Sequence, residues 1–381
     1  MSGLVTPIGL LTASAAEQYG VGVTVISSQF SWFIGGVFLG YILSFFVFDY
    51  LKMKTIIVLV YTLALGCILA IHFIPSYRLL PLLLTVTGIC ASIGACAGGT
   101  LITRLWHGRK RQSVLVAQDA MFNGGGVVFA WLAIALLDRG FRWSSSYMAV
   151  GLIGLLVALM CVFSSFAEAS QAEDKDQASS SASEWNPAFF LIGFSLLLFL
   201  MAKIAIFIWA PQFVEQKFNV GNAESGQFMS NIFSSAFIGS LVGTWLVTKI
   251  RVNYLLYSLV VLAMLSTWLF TQSTALDEML ILGFVFGISI SATYNSYVAF
   301  ALTFIGTPTH RHIAYLLLVG GLGSAIGPVL SSKVVEMKGE VAAAMELCLQ
   351  VYLVVFLVLI LAHLCQHFKI GSGAEQPPEK T

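Results

Sequence analysis

Two ionisable residues stand where charge is expensive. Asp119 follows the apolar run Val114-Leu115-Val116-Ala117, and Lys203 interrupts the run from Leu196 to Trp209. A charged side chain at the centre of a membrane helix costs about 2.5–3.5 kcal/mol on insertion scales, so each needs a polar pathway or a partner. Asn123 and Gly126 follow Asp119 at i+4 and i+7 and share its helical face. A carboxylate on such a face, shielded from water, can exchange a proton. It can equally well bond the basic segment Arg109-Lys110-Arg111 or a helix end. Lys203 suits the anionic group of a substrate, or a fixed counter-ion in a cavity; its flexible stem could also snorkel outward near Trp209. Ser291, Tyr294 and Asn295 form a polar stripe at helical spacing, which reads as a contact surface for a polar solute or as interhelical hydrogen bonding. Substrate contacts are therefore expected from Lys203, Tyr294, Asn295 and Asn123, and proton coupling from Asp119. Gln227 and Asn231 are weaker versions of the stripe. Glu346, near a span end, reads as an interfacial carboxylate, and Trp185, Trp209, Trp245 and Tyr254 read as belt residues.

Other chemistries lack their residues. No phosphate-cradling Gly-rich loop ends in Gly-Lys-Ser/Thr, and no basic tail with interleaved aromatics suits nucleic acid. No His pairs with a Ser in any hydrolase-like motif, so the chain does not read as an enzyme. The six cysteines (Cys67, Cys90, Cys96, Cys161, Cys348 and Cys365) lie in or beside apolar runs and read as small buried hydrophobes, without metal-ligand spacing. No cofactor or metal is expected.

Residues of these kinds must be held by long apolar elements. Of 381 residues, 58% are hydrophobic and only 10% charged, against roughly 25% charged in a soluble domain. So few charges cannot cover a water-exposed surface, and lipid is the solvent that tolerates this composition. Eleven runs are long enough to cross a bilayer: residues 23–48, 55–73, 80–102, 113–137, 147–166, 188–210, 226–247, 254–271, 279–303, 313–330 and 341–364. They are continuous rather than alternating, which excludes a β-barrel. Gly3–Ala16 is apolar but too short, and reads as the remnant of a first span whose start lies upstream. The expected fold is all-α transmembrane, two six-helix bundles with twelve spans, the first truncated. Lys and Arg are twofold more numerous on the side holding Arg109-Lys110-Arg111, which predicts both termini in the cytoplasm of a multi-pass inner-membrane protein.

The polar stretch 167–187, rich in Glu, Asp, Ser and Gln, predicts a disordered cytoplasmic linker between bundles 1–166 and 188–366, with a tail at 367–381. The halves echo one another. Gly108-Arg109-Lys110-Arg111 enters a span carrying Asn123-Gly124-Gly125-Gly126, and Thr309-His310-Arg311-His312 enters one carrying Gly320-Gly321-Leu322-Gly323-Ser324. These are spans five and eleven, which a parallel repeat equates.

Twelve spans, a central linker and the segment Asp49-Tyr50-Leu51-Lys52-Met53-Lys54 resemble the major facilitator superfamily, whose corresponding loop carries Gly-x-x-x-Asp followed by basic residues. Phe45 stands in the place of that Gly. The chain also resembles TsgA-like transporters, relatives of the fucose permease branch, through Gly108–Arg111 with Asp119, through Phe207-Ile208-Trp209-Ala210-Pro211-Gln212-Phe213, and through Ser230-Asn231. The resemblance implies secondary active transport of a small polar solute by alternating access, with a proton or other ion as coupling partner. It implies a gating loop of Asp49, Lys52, Arg109 and Arg111, and Asp119 as the carboxylate matching the nearer relatives. Fucose permeases carry coupling carboxylates in spans one and four; Gly3 and Ile93 stand there in this chain. The expected partners are the solute, protons and the lipid bilayer, with no nucleic acid, and the chain is expected to be monomeric. A transport-inactive scaffold or sensor on the same fold is the alternative.

Overall fold

The computed structural model describes residues 2–74, 76–164 and 185–370. Of the expected linker 167–187 and tail 367–381, residues 167–184 and 371–381 lie outside the described residues, while Pro187 and residues 367–370 belong to helices. All regular structure among the described residues is helical. The first span is two pieces, α1 (Ser2–Val5) and α2 (Ile8–Tyr19). Pro7 separates them because it has no N–H to continue the ladder; the Tyr147 hydroxyl donates to the carbonyl of Leu4 at 2.9 Å beside this break. There follow α3 (Val23–Tyr50), α4 (Met53–Phe73), α5 (Leu80–Leu105), α6 (Gly108–Asp138) and α7 (Ser145–Phe163). The second half comprises α8 (Pro187–Phe218), α9 (Asn222–Leu246), α10 (Val252–Gln272), α11 (Leu276–Ser291), α12 (Thr293–Ala301), a 3-10 turn at Leu302–Phe304, α13 (His310–Lys338) and α14 (Ala342–Ile370).

Ten helices among the described residues are long and apolar enough to cross a membrane, with α11, α12 and the 3-10 turn forming one of them. The α1–α2 pair and α9 fall outside that set. Large apolar side chains face outward throughout, such as Met121, Trp131 and Phe163, the last 86% exposed. Only hydrocarbon accommodates such an exterior, so the chain is a multi-pass integral membrane protein.

The chain clusters into two compact units. One contains residues 1–114, 118–183 and 307–318; the other contains 115–117, 184–306 and 319–381. In the first, α3 and α5 run side by side at backbone contact. A Cβ on Gly36 would strike the Thr85 carbonyl, one on Gly40 the Ser92 hydroxyl and Ile89 carbonyl, and one on Gly88 the Phe33 carbonyl. In the second unit, α9 and α11 repeat the device. A Cβ on Gly287 would strike the Ile232 carbonyl and the Ser235 hydroxyl, one on Gly239 the Ser291 hydroxyl, and one on Gly283 the Phe228 ring. By span order α3 and α5 correspond to α9 and α11, so the repeat legible at spans five and eleven extends through the packing of spans two, four, eight and ten.

The Gly-rich runs of spans five and eleven are also close-packing faces. Gly126 on α6 packs against Thr6 and Ser2, and Gly323 and Gly327 on α13 lie against the backbone of Leu197 and Met201 on α8. Small residues let helices approach where lipid offers no hydrophobic drive between them. Five of the cysteines, Cys67, Cys90, Cys96, Cys161 and Cys348, are buried and free, as small hydrophobes should be; the side chain of Cys365 lies outside the described set.

Gly40→Val and Gly287→Val are each expected to destabilise the detergent-solubilised protein by about 1–3 kcal/mol through overpacking against backbone that cannot yield. Gly66→Ala, where nothing lies within 4 Å of the added Cβ, should leave the midpoint of thermal unfolding unchanged. Equal melting of all three would show that the glycine contacts do not hold the helices.

Candidate functional site

The polar residues sit on helices longer than the apolar runs suggest. α6 begins at Gly108, so Arg109 and Arg111 belong to its first turn rather than to a loop. α8 begins where Asn186 caps it, the side chain accepting from the Ala188 N–H at 3.0 Å with Pro187 in the first turn, and it runs through Pro211 to Phe218. The reason is that a helix keeps its own hydrogen bonds past the edge of the hydrocarbon, whereas an apolar window stops there.

Asp49 lies in the last turn of α3, a position where a carboxylate opposes the helix dipole. The loop after it is only Leu51 and Lys52, with Lys52 at the N-cap of α4. The partners shown for Asp49 are on α13. Arg311 Nη2 donates to Asp49 Oδ2 at 2.7 Å. His310 Nε2 lies 3.3 Å from Oδ1, inside ion-pair distance but off the line of a hydrogen bond. His310 stacks on Phe48, with ring centroids 5.2 Å apart. These are the first two residues of α13, so the carboxylate also sits at the positive end of that helix. His312 completes the helix start, its Nδ1 accepting from the Thr309 N–H at 3.0 Å. The sequence echo between segments 108–111 and 309–312 marked this segment, but nothing in it identified Asp49 as the acceptor. α13 is one helix from His310 to Lys338, and its first turns cluster with the first unit, the rest with the second.

On α6, Asp119 is 8% exposed, and Asn123 on the same face is half-buried. One turn further, the Ser2 hydroxyl donates to the carbonyl of Phe122 at 2.6 Å, and Ser2 and Thr6 face Gly126. Position 3 has no room for a carboxylate: a Cβ there would meet Phe129 at 2.6 Å and Val150 at 2.8 Å.

Lys203 stands midway along α8 and is half-buried, its Nζ 5.7 Å from the centroid of Phe207. Span ten does not carry one continuous polar stripe. The helix breaks at Ala292 (φ −108°, ψ 13°), which ends α11 at Ser291 and starts α12 at Thr293. Neither Gly nor Pro causes the break. The hydroxyls of Ser289, Ser291 and Thr293 bond back to the carbonyls of Phe286, Ile288 and Ser289 at 2.6–2.7 Å, which competes with the helical ladder. Ser291 is turned to Gly239 and serves packing. Tyr294 is half-buried, Asn295 is 8% exposed, and both lie in α12.

Other polar side chains bond to neighbouring helices. Asn231 donates to the carbonyl of Leu280 at 3.1 Å, and Trp209 donates to Ser331 Oγ at 2.9 Å. Glu346 forms an exposed pair with Lys338 at 3.1 Å. Two further lysines close helix ends: Lys54 donates to the Ser164 carbonyl after α7, and Lys217 to the carbonyls of Phe270 and Thr271 at the end of α10.

A double-mutant cycle of Asp49→Asn and Arg311→Gln should give a coupling of about 0.5–1 kcal/mol in unfolding free energy, lost in high salt, because the pair is partly exposed. Strict additivity would show that the pair contributes nothing.

Comparison with known proteins agrees with this architecture. The family model described as Major Facilitator Superfamily matches residues 2–328. Curated relatives include the protein TsgA homolog of Yersinia enterocolitica, 23% identical over 97% of this chain and 93% of the relative. They also include the TsgA homolog of Buchnera aphidicola, 22% identical over 88% of this chain and 86% of the relative. Among solved structures, FucP, a Major Facilitator Superfamily transporter in the outward conformation, superposes with a TM-score of 0.75 at 17% identity, covering 95% of this chain and 96% of that one. A second FucP structure, described as the E. coli fucose:proton symporter, matches equally well. With the match running over most of its length, the chain belongs to the Major Facilitator Superfamily, a family of secondary transporters.

Proposed function

We propose that this protein moves a small polar solute across the inner membrane by alternating access, driven by a proton gradient, with Asp119 as the proton-exchanging group. The observation that carries the reading is a carboxylate 8% exposed on a membrane-spanning helix of a transporter family member. Such a group is costly to keep unless a proton or a partner neutralises it in some state of the cycle. The structural neighbour FucP is a fucose:proton symporter, but the positions equated with the permease carboxylates hold Gly3, hemmed in by Phe129 and Val150, and buried Ile93. Coupling here therefore falls to a different residue, and Asp119 has the burial and the face for it.

The Asp49–Arg311 pair acts as a latch at the start of α13. Lys52, Arg109 and Arg111 supply the positive charge that keeps this end in the cytoplasm, together with both termini. Lys203, Tyr294, Asn295 and Asn123 provide the solute contacts.

In proteoliposomes, Asp119→Asn is expected to abolish solute accumulation driven by a pH gradient while leaving counterflow exchange and the unfolding midpoint near wild type. Gradient-driven accumulation at the wild-type rate in this variant would remove Asp119 from the coupling step. Reporter fusions at each terminus that proved active only outside the cytoplasm would overturn the orientation.

A further inference from the structure

The surroundings of Lys203 carry the transport reading one step further, to the charge class of the solute. Lys203 lies 16 residues after Pro187 and 15 before Phe218, about 24 and 22 Å from the two helix ends. The helix ends project past the hydrocarbon, and the apolar run that carries Lys203 closes at Ala210, seven residues or about 10 Å beyond it. A half-buried lysine at that depth is stabilised by a polar space or by protein groups and not by acyl chains. Its neighbours Met201, Ala202, Ala205 and Ile206 are buried. Leu200 and Phe207 share its helical face, one turn to either side, and the ammonium lies 5.7 Å from the Phe207 ring centroid.

The broken span brings Tyr294 close to the turn of α8 before Lys203. A Cβ on Gly320 would meet Tyr294 Cε2 at 2.9 Å and Leu200 Cδ1 at 3.0 Å. The bare glycine thus leaves room for both Tyr294 and Leu200, the latter one turn from Lys203. Asn295 follows Tyr294 just past the break at Ala292. Irregular backbone within a spanning helix is tolerated where it borders protein or a polar cavity, and discontinuous helices often mark substrate sites in transporters.

We infer that the solute is a small hydroxylated carboxylate. Lys203 binds the carboxylate, and the face of Phe207 covers the C–H edge of the carbon chain. Tyr294 and Asn295 bond the hydroxyls. A charge pair formed in this low-dielectric setting is far stronger than the same pair in water, so anions are selected over neutral polyols of equal size.

The test uses the full-length protein in detergent and in proteoliposomes, with glycerate and glucuronate as probes and glycerol and glucose as their neutral counterparts. At least one anion should raise the unfolding temperature and support counterflow, while its neutral counterpart does neither. Lys203→Gln should weaken anion binding about 10- to 100-fold, the loss of one charge-assisted hydrogen bond. Lys203→Arg should retain more affinity, and both variants should melt near wild type without ligand. The inference is overturned if neither anion binds, if the neutral partner binds as well, or if Lys203→Gln binds the anion at wild-type affinity. Counterflow of glucose or glycerol alone would sink the charge class and leave the transport reading intact. Anion binding that depends on Lys203 without flux of any solute would support the site and sink the transport reading.

Discussion

Helices in hydrocarbon gain little by hiding apolar surface from one another, because lipid tails are as apolar as leucine. What holds them is the closeness of backbone to backbone. In this chain that closeness is set by glycine on one helix opposite a carbonyl or a serine on the next: Gly36, Gly40 and Gly88 between α3 and α5, and Gly239, Gly283 and Gly287 between α9 and α11. Both contacts run in parallel register, with Gly36 at Thr85 and Gly40 at Ile89, then Phe228 at Gly283 and Ile232 at Gly287. A shift of one residue would drive a side chain into main chain. The two units are rigid for the same reason in the same place, which fits a duplicated half.

Most of the architecture was legible from hydropathy, since a span must be apolar for its whole passage through lipid. What hydropathy could not see was where helices end, because their hydrogen bonding continues into the polar zone. The helix that carries Lys203 illustrates this, continuing eight residues past the apolar run 188–210 to Phe218. The basic segment before Asp119 was misread in the same way, as loop instead of first turn. The break at Ala292 was hidden for another reason: helix breakers are sought among Gly and Pro, and here the break falls among Ser289, Ser291 and Thr293. The polar stripe seemed continuous only because that break was overlooked. The partner of Asp49 lay beyond sequence reasoning altogether, since Arg311 is distant in the chain and only folding brings it near.

The Asp49 contact is a weak one that depends on two helix ends meeting. A carboxylate at the end of α3 is disfavoured by its own helix and favoured by the start of α13, so the same charge is stabilised only while the two helix ends meet. Both side chains are partly exposed, Asp49 35% and Arg311 53%, which keeps the pair weak enough to open.

The broken span lets one crossing serve several neighbours. Its first piece, α11, packs on α9 through Gly283, Gly287 and Ser291. Past Ala292, α12 packs on α8, where Tyr297 meets Ser195 Oγ at 2.9 Å and its ring packs on Phe199, and on α10, where Phe300 meets Tyr257 with ring centroids 5.9 Å apart. Around the break the hydroxyls of Ser291, Thr293 and Ser296 donate to the carbonyls of Ile288, Ser289 and Ala292. Just past the break, Tyr294 shares with Leu200 of α8 the space beside Gly320 of α13.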